Sequence, residues 1–222
     1  MFIITFIIPT IGRLSLNDTV NSLYNLENKN WNAIIIFDGI KNNFQFNDER
    51  LVILEIDKVG KIDKKNNAGC VRNIGFDYIK NKNKNNNNNF DTEFIGFVDD
   101  DDTLHPKYIH YLLEEKNINN HLDLIIFRMI YRNNVFLPSK FDTKIKVKHF
   151  GISFAFKKEI INNVGNYFIN YPYEDYLFLK NIEKNHYKIV ISPFINYFIE
   201  TKYTDFNDDK INLNLPRVLI NF

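Results

Sequence analysis

Five short apolar runs, each closed by polar or turn-forming residues, do most to limit what this chain can fold into. They cover residues 2–8, 33–37, 51–56, 94–98 and 124–130. Each is nearly continuous in hydrophobicity instead of alternating, which is the pattern of strands buried on both faces in a parallel or mixed sheet. Helical stretches lie between them. Ser15, with Asp18 three residues on, resembles a capping box opening a helix over 16–26. Two more helices are predicted over 68–80 and 106–115, the second with Pro106 at its start. The order β-α-β-β-α-β-α-β predicts an α/β fold, with a mixed, mostly parallel central sheet flanked by helices. A length of 222 residues suits one such domain, and no repeat or linker divides it. The stretch over 81–89, Asn and Lys only, is too polar to pack a core and is predicted to be a solvated loop.

The opening residues are apolar but lack a basic leader and reach Pro9 after eight positions, so they read as a buried strand, not as a signal core or membrane span. A net charge of +1 argues against nucleic acid or an anionic membrane as partner. One cysteine, Cys70, excludes an internal disulfide and favours a reducing compartment. A soluble, cytoplasmic protein is expected. The abundance of Asn, Ile, Lys and Phe is that of AT-rich coding sequence, and for a viral source the compartment would be the host cytoplasm.

In open α/β sheets, ligands bind beyond the carboxyl ends of the strands. Here those positions hold Pro9-Thr10 through Arg13, then Asp38-Gly39, then Asp99 to Asp102. Carboxylates roughly 5 Å apart repel by about 3 kcal/mol at an effective dielectric of ~20. Four in a row must therefore raise their pKa values, splay into water as a solvated acidic turn, or hold a cation. Oxygen donors of this kind suit Mg2+ or Mn2+, which complete their shells with water and substrate phosphate. Other residues keep two readings each. Arg72, in a helix beginning near Asn66, is placed to meet an anion or is a surface arginine. Asp38 is a ligand or a turn former before Gly39. Glu174-Asp175 supplies a general base or good electrostatics to a helix that carries Phe178 and Ile182 on one face. His105 reads as a helix-entry residue, and His149 as either a contact to acceptor or diphosphate or an ordinary loop histidine. The segment 140–148 is basic and has no assigned role.

Taken in order, these elements resemble a family-2 glycosyltransferase of the glycosyltransferase-A fold, over about residues 3–185. The resemblance is carried by Pro9-Thr10-Ile11-Gly12-Arg13, by Asp38, and by Gly69, Arg72, Asn73 and Gly75. It continues through Asp99, Asp101 and Asp102, then Gly165, Tyr167, Glu174 and Asp175. It implies one glycosyltransferase-A domain over 1–222. Residues 1–102 would form a Rossmann-like nucleotide-sugar-binding half and 103–200 an acceptor-binding half, with 201–222 a tail. Pro9, Thr10, Arg13, Asp38, Arg72, Asn73, Asp99 and Asp100 would contact the nucleotide. Asp101, with Asp99, would hold Mn2+ or Mg2+, and Asp175, helped by Glu174, would be the catalytic base. Gly151, Ile152 and Ser153 would floor the acceptor site. The implied reaction moves a sugar with inversion from a nucleotide diphosphate sugar, a UDP-sugar by resemblance, to a glycan, protein or lipid hydroxyl.

Two other readings remain. The run Ile95 to Leu104 also resembles the first motif of haloacid dehalogenase-like phosphatases, with Asp99 as nucleophile and Asp101 as acid/base. A catalytically inactive sugar-nucleotide-binding protein is the other.

Overall fold

The structure is a computed structural model that describes residues 2–62, 65–84, 91–164, 167–169, 171–206 and 213–220. The chain opens with β1 (Phe2–Thr10), α1 (Leu16–Tyr24), β2 (Trp31–Asp38) and β3 (Leu51–Ile56). A short antiparallel pair follows, β4 (Lys61–Ile62) and β5 (Lys65–Asn66), then α2 (Gly69–Lys84) and β6 (Thr92–Phe97). The second half holds β7 (Thr103–Leu104), α3 (Tyr108–Ile118), β8 (Leu124–Tyr131), β9 (Phe136–Leu137) and β10 (Phe154–Lys157). It closes with α4 (Ile160–Asn163), α5 (Glu174–Lys184), β11 (Ile189–Ile199) and β12 (Val218–Ile220).

One sheet runs through both halves in the order β12-β11-β8-β10-β6-β1-β2-β3, with β7 paired to β11 and β9 to β8. Strands β3, β2, β1 and β6 are mutually parallel. Strand β10 runs antiparallel between β6 and β8, and β11 is again parallel to β8. The sheet is thus mixed and mostly parallel, as the unbroken apolar runs imply. Residues 31–38 of β2 are all buried, which only a sheet covered on both faces allows. All five predicted strands form, each within two residues of its expected bounds at either end. The helix facing Phe178 and Ile182 inward is α5, where they are 2% and 0% exposed.

Three local expectations are corrected. Ser15 makes no capping bond through its side chain. The first N–H groups of α1 are instead satisfied by a preceding turn, with Leu16 donating to the Arg13 carbonyl and Asn17 to that of Leu14. Asp18 pairs with Lys202 at 2.8 Å. Helix α3 begins at Tyr108, so Pro106 lies in the turn before it. Helix α2 continues to Lys84, four residues into the expected loop; residues 85–89 lie outside the described residues.

Among the described residues after 200, 218–220 join the sheet. Strand β12 pairs with β11, and Arg217 makes a two-pronged bond to the fully buried Glu115 at 2.7 and 2.9 Å. Arg128, also fully buried, donates to the carbonyls of Pro138, Ser139 and Pro216. Among the described residues, no helix is long and apolar enough to cross a membrane.

Candidate active site

The carboxyl ends of β1, β2 and β6 open onto one cleft. Its lining includes Pro9, Thr10, Arg13, Asp38, Lys58, Asn67 and Asp99 to Asp101, around a space of about 540 Å³ that includes its open mouth. Most of these residues follow a strand end. Beyond β1 the chain turns at Gly12, whose φ of 82° favours a residue without a Cβ. That turn brings Arg13 back over the acidic run.

The four aspartates divide their work. Asp100 is 5% exposed and accepts from the Thr10 hydroxyl at 2.6 Å and from Arg13 at 3.1 Å, which locks the β1 turn to the β6 turn. Burial pushes its pKa up, against the hydrogen bond from Thr10. Asp102 is 3% exposed and accepts from the Glu200 amide at 2.8 Å and from the Tyr197 hydroxyl. Burial, helped by the neighbouring Asp99 charge, raises its pKa strongly. Thr19 of α1 donates to the Asp102 carbonyl at 2.8 Å, holding the turn from below. Asp99 and Asp101 face the cleft, with 34% and 28% of their side chains exposed. Asp101 pairs with Arg13, and its pKa is raised by burial in spite of that guanidinium.

Arg72 sits deeper than expected. Its side chain is 2% exposed and pairs with Asp99 at 2.5 Å, Asp175 at 3.3 Å and Glu174 at 3.4 Å. It therefore joins the acidic turn after β6 to the first turn of α5 instead of lining the cleft. Burial alone would lower its pKa, but the carboxylates of Asp99, Asp175 and Glu174 outweigh burial and raise it. Asp175 responds in the other direction. Burial and the charges of Glu174 and Asp99 push it up to about 7, against the pull of Arg72. About a quarter of its side chain still meets solvent, so it is open to a substrate.

This arrangement rests on a block of aromatic rings. Phe76 of α2 packs on Phe97 of β6, on Phe156 of β10 and on Phe168 at 5.9 Å, and on Phe178 of α5 at 6.3 Å. Phe168 and Phe178 stack at 4.6 Å. The Arg72 guanidinium lies 5.4 Å from the Phe168 ring centre. Gly75 is what lets α2 close on the sheet, because a Cβ there would stand 2.8 Å from the Ile7 side chain.

Other expected site residues fall elsewhere. Asn73 donates to the Phe168 carbonyl at 2.7 Å and accepts its amide at 3.0 Å. Both ends of its amide thereby hold the protein backbone, and Asn73 is not among the residues that line the cleft. The register of β10 against β6 puts residues 151–153 beside the end of β6. Their side chains nevertheless face inward: Ile152 is buried, Ser153 donates to the Phe127 carbonyl at 2.7 Å, and a Cβ on Gly151 would strike Met129. Gly165 lies outside the described residues.

Asp38 is 3% exposed and accepts from Lys58 at 2.7 Å, from the Val59 amide at 2.7 Å and from the Gly60 amide at 3.1 Å. Lys58 escaped the sequence reading although it follows β3 by two residues, where the strand-end rule applies equally. Tyr197 also escaped it. Its buried hydroxyl accepts the Asp99 amide at 2.9 Å, but nothing near it in sequence marks it out.

Carboxylates outnumber cations here: Asp38, Asp99 to Asp102, Glu174 and Asp175 stand against Arg13, Lys58 and Arg72. Among the described residues, no three acidic, His or Cys side chains converge as a ready-made metal cage. The donor set instead fits a hard cation that takes one or two carboxylates and finishes its shell on phosphate.

The fold, with its strand-end cleft, is an α/β domain of the glycosyltransferase-A class. Residues 5–177 match the model of glycosyl transferase family 2, and the chain belongs to that family. Residues 1–349 of S. aureus TarS superpose with a TM-score of 0.68 at 16% identity, over 89% of this chain and 60% of that one. The same TarS fragment in complex with UDP-GlcNAc gives 0.65 at 16% identity, over 89% and 58%. Its complex with UDP gives 0.61 at 14% identity, over 92% and 62%. At such identities the likeness is one of fold, and this chain spans about three fifths of the length of the TarS fragment. No curated protein matches the sequence. The phosphatase reading falls with the family match, and Asp99, its would-be nucleophile, is held by Arg72.

Proposed function

We propose that this chain is an inverting glycosyltransferase that moves a sugar from a UDP-sugar to an acceptor hydroxyl with the help of Mn2+ or Mg2+. The acceptor would belong to a glycan, protein or lipid, and the single cysteine favours a cytoplasmic setting. The observation that carries the reading is the link from Asp99 through Arg72 to Glu174 and Asp175. It ties the donor-side acidic turn to a carboxylate whose pKa of about 7 suits a general base near neutrality. UDP and UDP-GlcNAc bound in the TarS structures support the choice of donor.

In this scheme the base and ribose lie along Pro9, Thr10, Asp38 and Asp99. Arg13 and Lys58 face the diphosphate across the cleft. A diphosphate entering a site already rich in carboxylates needs a further cation, and Asp101 with Asp99 would hold it. When bound, that ion neutralises charge on the departing diphosphate. Asp175 takes the proton of the acceptor hydroxyl, and Glu174 helps place it. Arg72 keeps Asp175 ionisable inside the protein and fixes its direction.

A panel of nucleotide sugars, read out by nucleotide release with and without Mn2+, tests this. Metal-dependent release that Asp101→Ala abolishes is expected, while Asp175→Ala should bind UDP normally and lose transfer. Normal turnover by Asp101→Ala would sink the metal assignment. Nucleotide binding without turnover across the panel would make the chain a binding protein instead.

A further inference from the structure

The basic segment 139–149 has no part in the chemistry above, yet it is built with care. Arg128 holds its first residues through the Pro138 and Ser139 carbonyls. Asp142, 2% exposed, then closes the segment on itself. It accepts from the Ser139 amide and hydroxyl at 2.8 Å each and meets His149 Nδ1 at 2.9 Å. The one acid of the segment is thus turned inward, and Lys140, Lys144, Lys146 and Lys148 are all exposed. Lys146 reaches Asp142 only at 3.6 Å. Among the described residues, Lys140, Lys144 and Lys148 pair with no carboxylate.

The segment also reaches the catalytic side of the cleft. The Lys148 ammonium lies 5.9 Å from the ring centre of Tyr173, the residue directly before Glu174 and Asp175. Both Lys148 and Tyr173 have a φ of 66°, in the left-handed region that side chains disfavour. Backbone held in that region clusters at binding and catalytic sites. Tyr173 and Tyr171 are 48% and 59% exposed, and Phe141 is 78% exposed. Flat aromatic faces interleaved with lysines suit sugar rings that carry negative charge. The site itself is dominated by carboxylates, so an acceptor anion, which lacks the cation proposed for the diphosphate, is repelled from the reacting hydroxyl. It can be met only beside it, where the lysines stand.

We infer that the acceptor is an anionic saccharide chain, its charged units met by the exposed Lys144, Lys146 and Lys148, the last of them beside Tyr173, while a neighbouring hydroxyl meets Asp175. This deepens the glycosyltransferase reading and rests on it. The net charge of +1 for the whole chain argues against a general affinity for polyanions or anionic membranes, which leaves a local, directed contact.

Binding of hexagalacturonate and of its fully methyl-esterified, neutral counterpart, measured by calorimetry with UDP and Mn2+ present, tests the inference. The charged oligomer should bind at least about tenfold more tightly, and its affinity should fall as salt rises from about 50 to 200 mM. In the triple variant Lys144→Ala/Lys146→Ala/Lys148→Ala that preference should drop by about tenfold or more, since exposed charge pairs are individually weak but here act together. UDP affinity of the variant should stay at the wild-type value, which shows that the cleft is folded. Equal binding of the two oligomers, or an unchanged preference in the variant, overturns the inference. So does lysine-dependent binding to vesicles of about 30 mol% phosphatidylserine without preference for the charged oligomer. Absence of UDP binding by the wild type would strike the glycosyltransferase reading itself, a separate result.

Discussion

Replacing Arg72 by Met removes the one cation that faces Asp99, Glu174 and Asp175 together and keeps most of the side-chain volume. Three carboxylate oxygens, at 2.5, 3.3 and 3.4 Å, lose their counter-charge at once. Opposite charges ~4 Å apart attract by about 4 kcal/mol at an effective dielectric of ~20. Part of that is returned, because the guanidinium no longer has to be stripped of water and the carboxylates keep some solvent contact. Removing one partner of a buried ion pair typically destabilises by about 3–5 kcal/mol. For a chain of this length that is a fall of roughly 6–20 °C in Tm. The pH dependence distinguishes a charge effect from lost packing. Arg72 draws the Asp175 pKa downward, so without it the value rises beyond about 7. A carboxyl whose folded pKa lies above its unfolded one binds more protons when folded, so its penalty grows as pH rises between the two values. The deficit of Arg72→Met should therefore be largest above about pH 7 and shrink toward about pH 5. Thermal melts followed by circular dichroism at both pH values measure it, and Arg72→Lys, which keeps the charge, should fall between. A deficit that is unchanged or larger at the lower pH would refute the charge-balance account and leave packing as the cause.

The remaining expectations use single measurements. Transfer by the wild type should fall about tenfold per pH unit below a midpoint near 7, because Asp175 must be ionised to accept a proton; a flat profile from about pH 5 to 8 would remove it as base. Asn73→Ala breaks two bonds to the Phe168 backbone and should destabilise by about 1–3 kcal/mol. Its UDP dissociation constant should stay unchanged, so a large loss of UDP affinity in a stable variant would restore the nucleotide contact. Arg217→Met leaves the fully buried Glu115 uncompensated and should cost about 3 kcal/mol in denaturant unfolding, with no direct effect on nucleotide binding.

The parallel core was legible because burial on both faces writes itself as uninterrupted hydrophobicity, as in 31–38 and 94–98. Strand β11 was not. It contains Pro193, which cannot donate to a ladder, and it keeps its place by register shifts between Ile191 and Tyr197 that no local pattern announces. Strands β7, β9 and β12 are two or three residues long, below the reach of any periodicity. At the site, the strand-end rule found Thr10, Arg13, Asp38 and the acidic run. It could not say which carboxylates stay open to solvent, because Asp100 and Asp102 are buried against partners 87 to 98 residues away in sequence. Arg72 was expected at the cleft and lies beneath it for the same reason: α5, which supplies two of its partners, returns about a hundred residues later.

The aromatic block under the site has a consequence for how freely this protein can vary. Phe97 and Phe168 flank Arg72, while Phe178 belongs to the helix that carries Asp175, and the rings touch one another. These ring contacts lie on both sides of the Arg72–Asp175 pair, which stands at 3.3 Å, and a change of side-chain size in that block is expected to shift the pH at which the carboxylate ionises. Drift in this interior is constrained by chemistry as much as by stability.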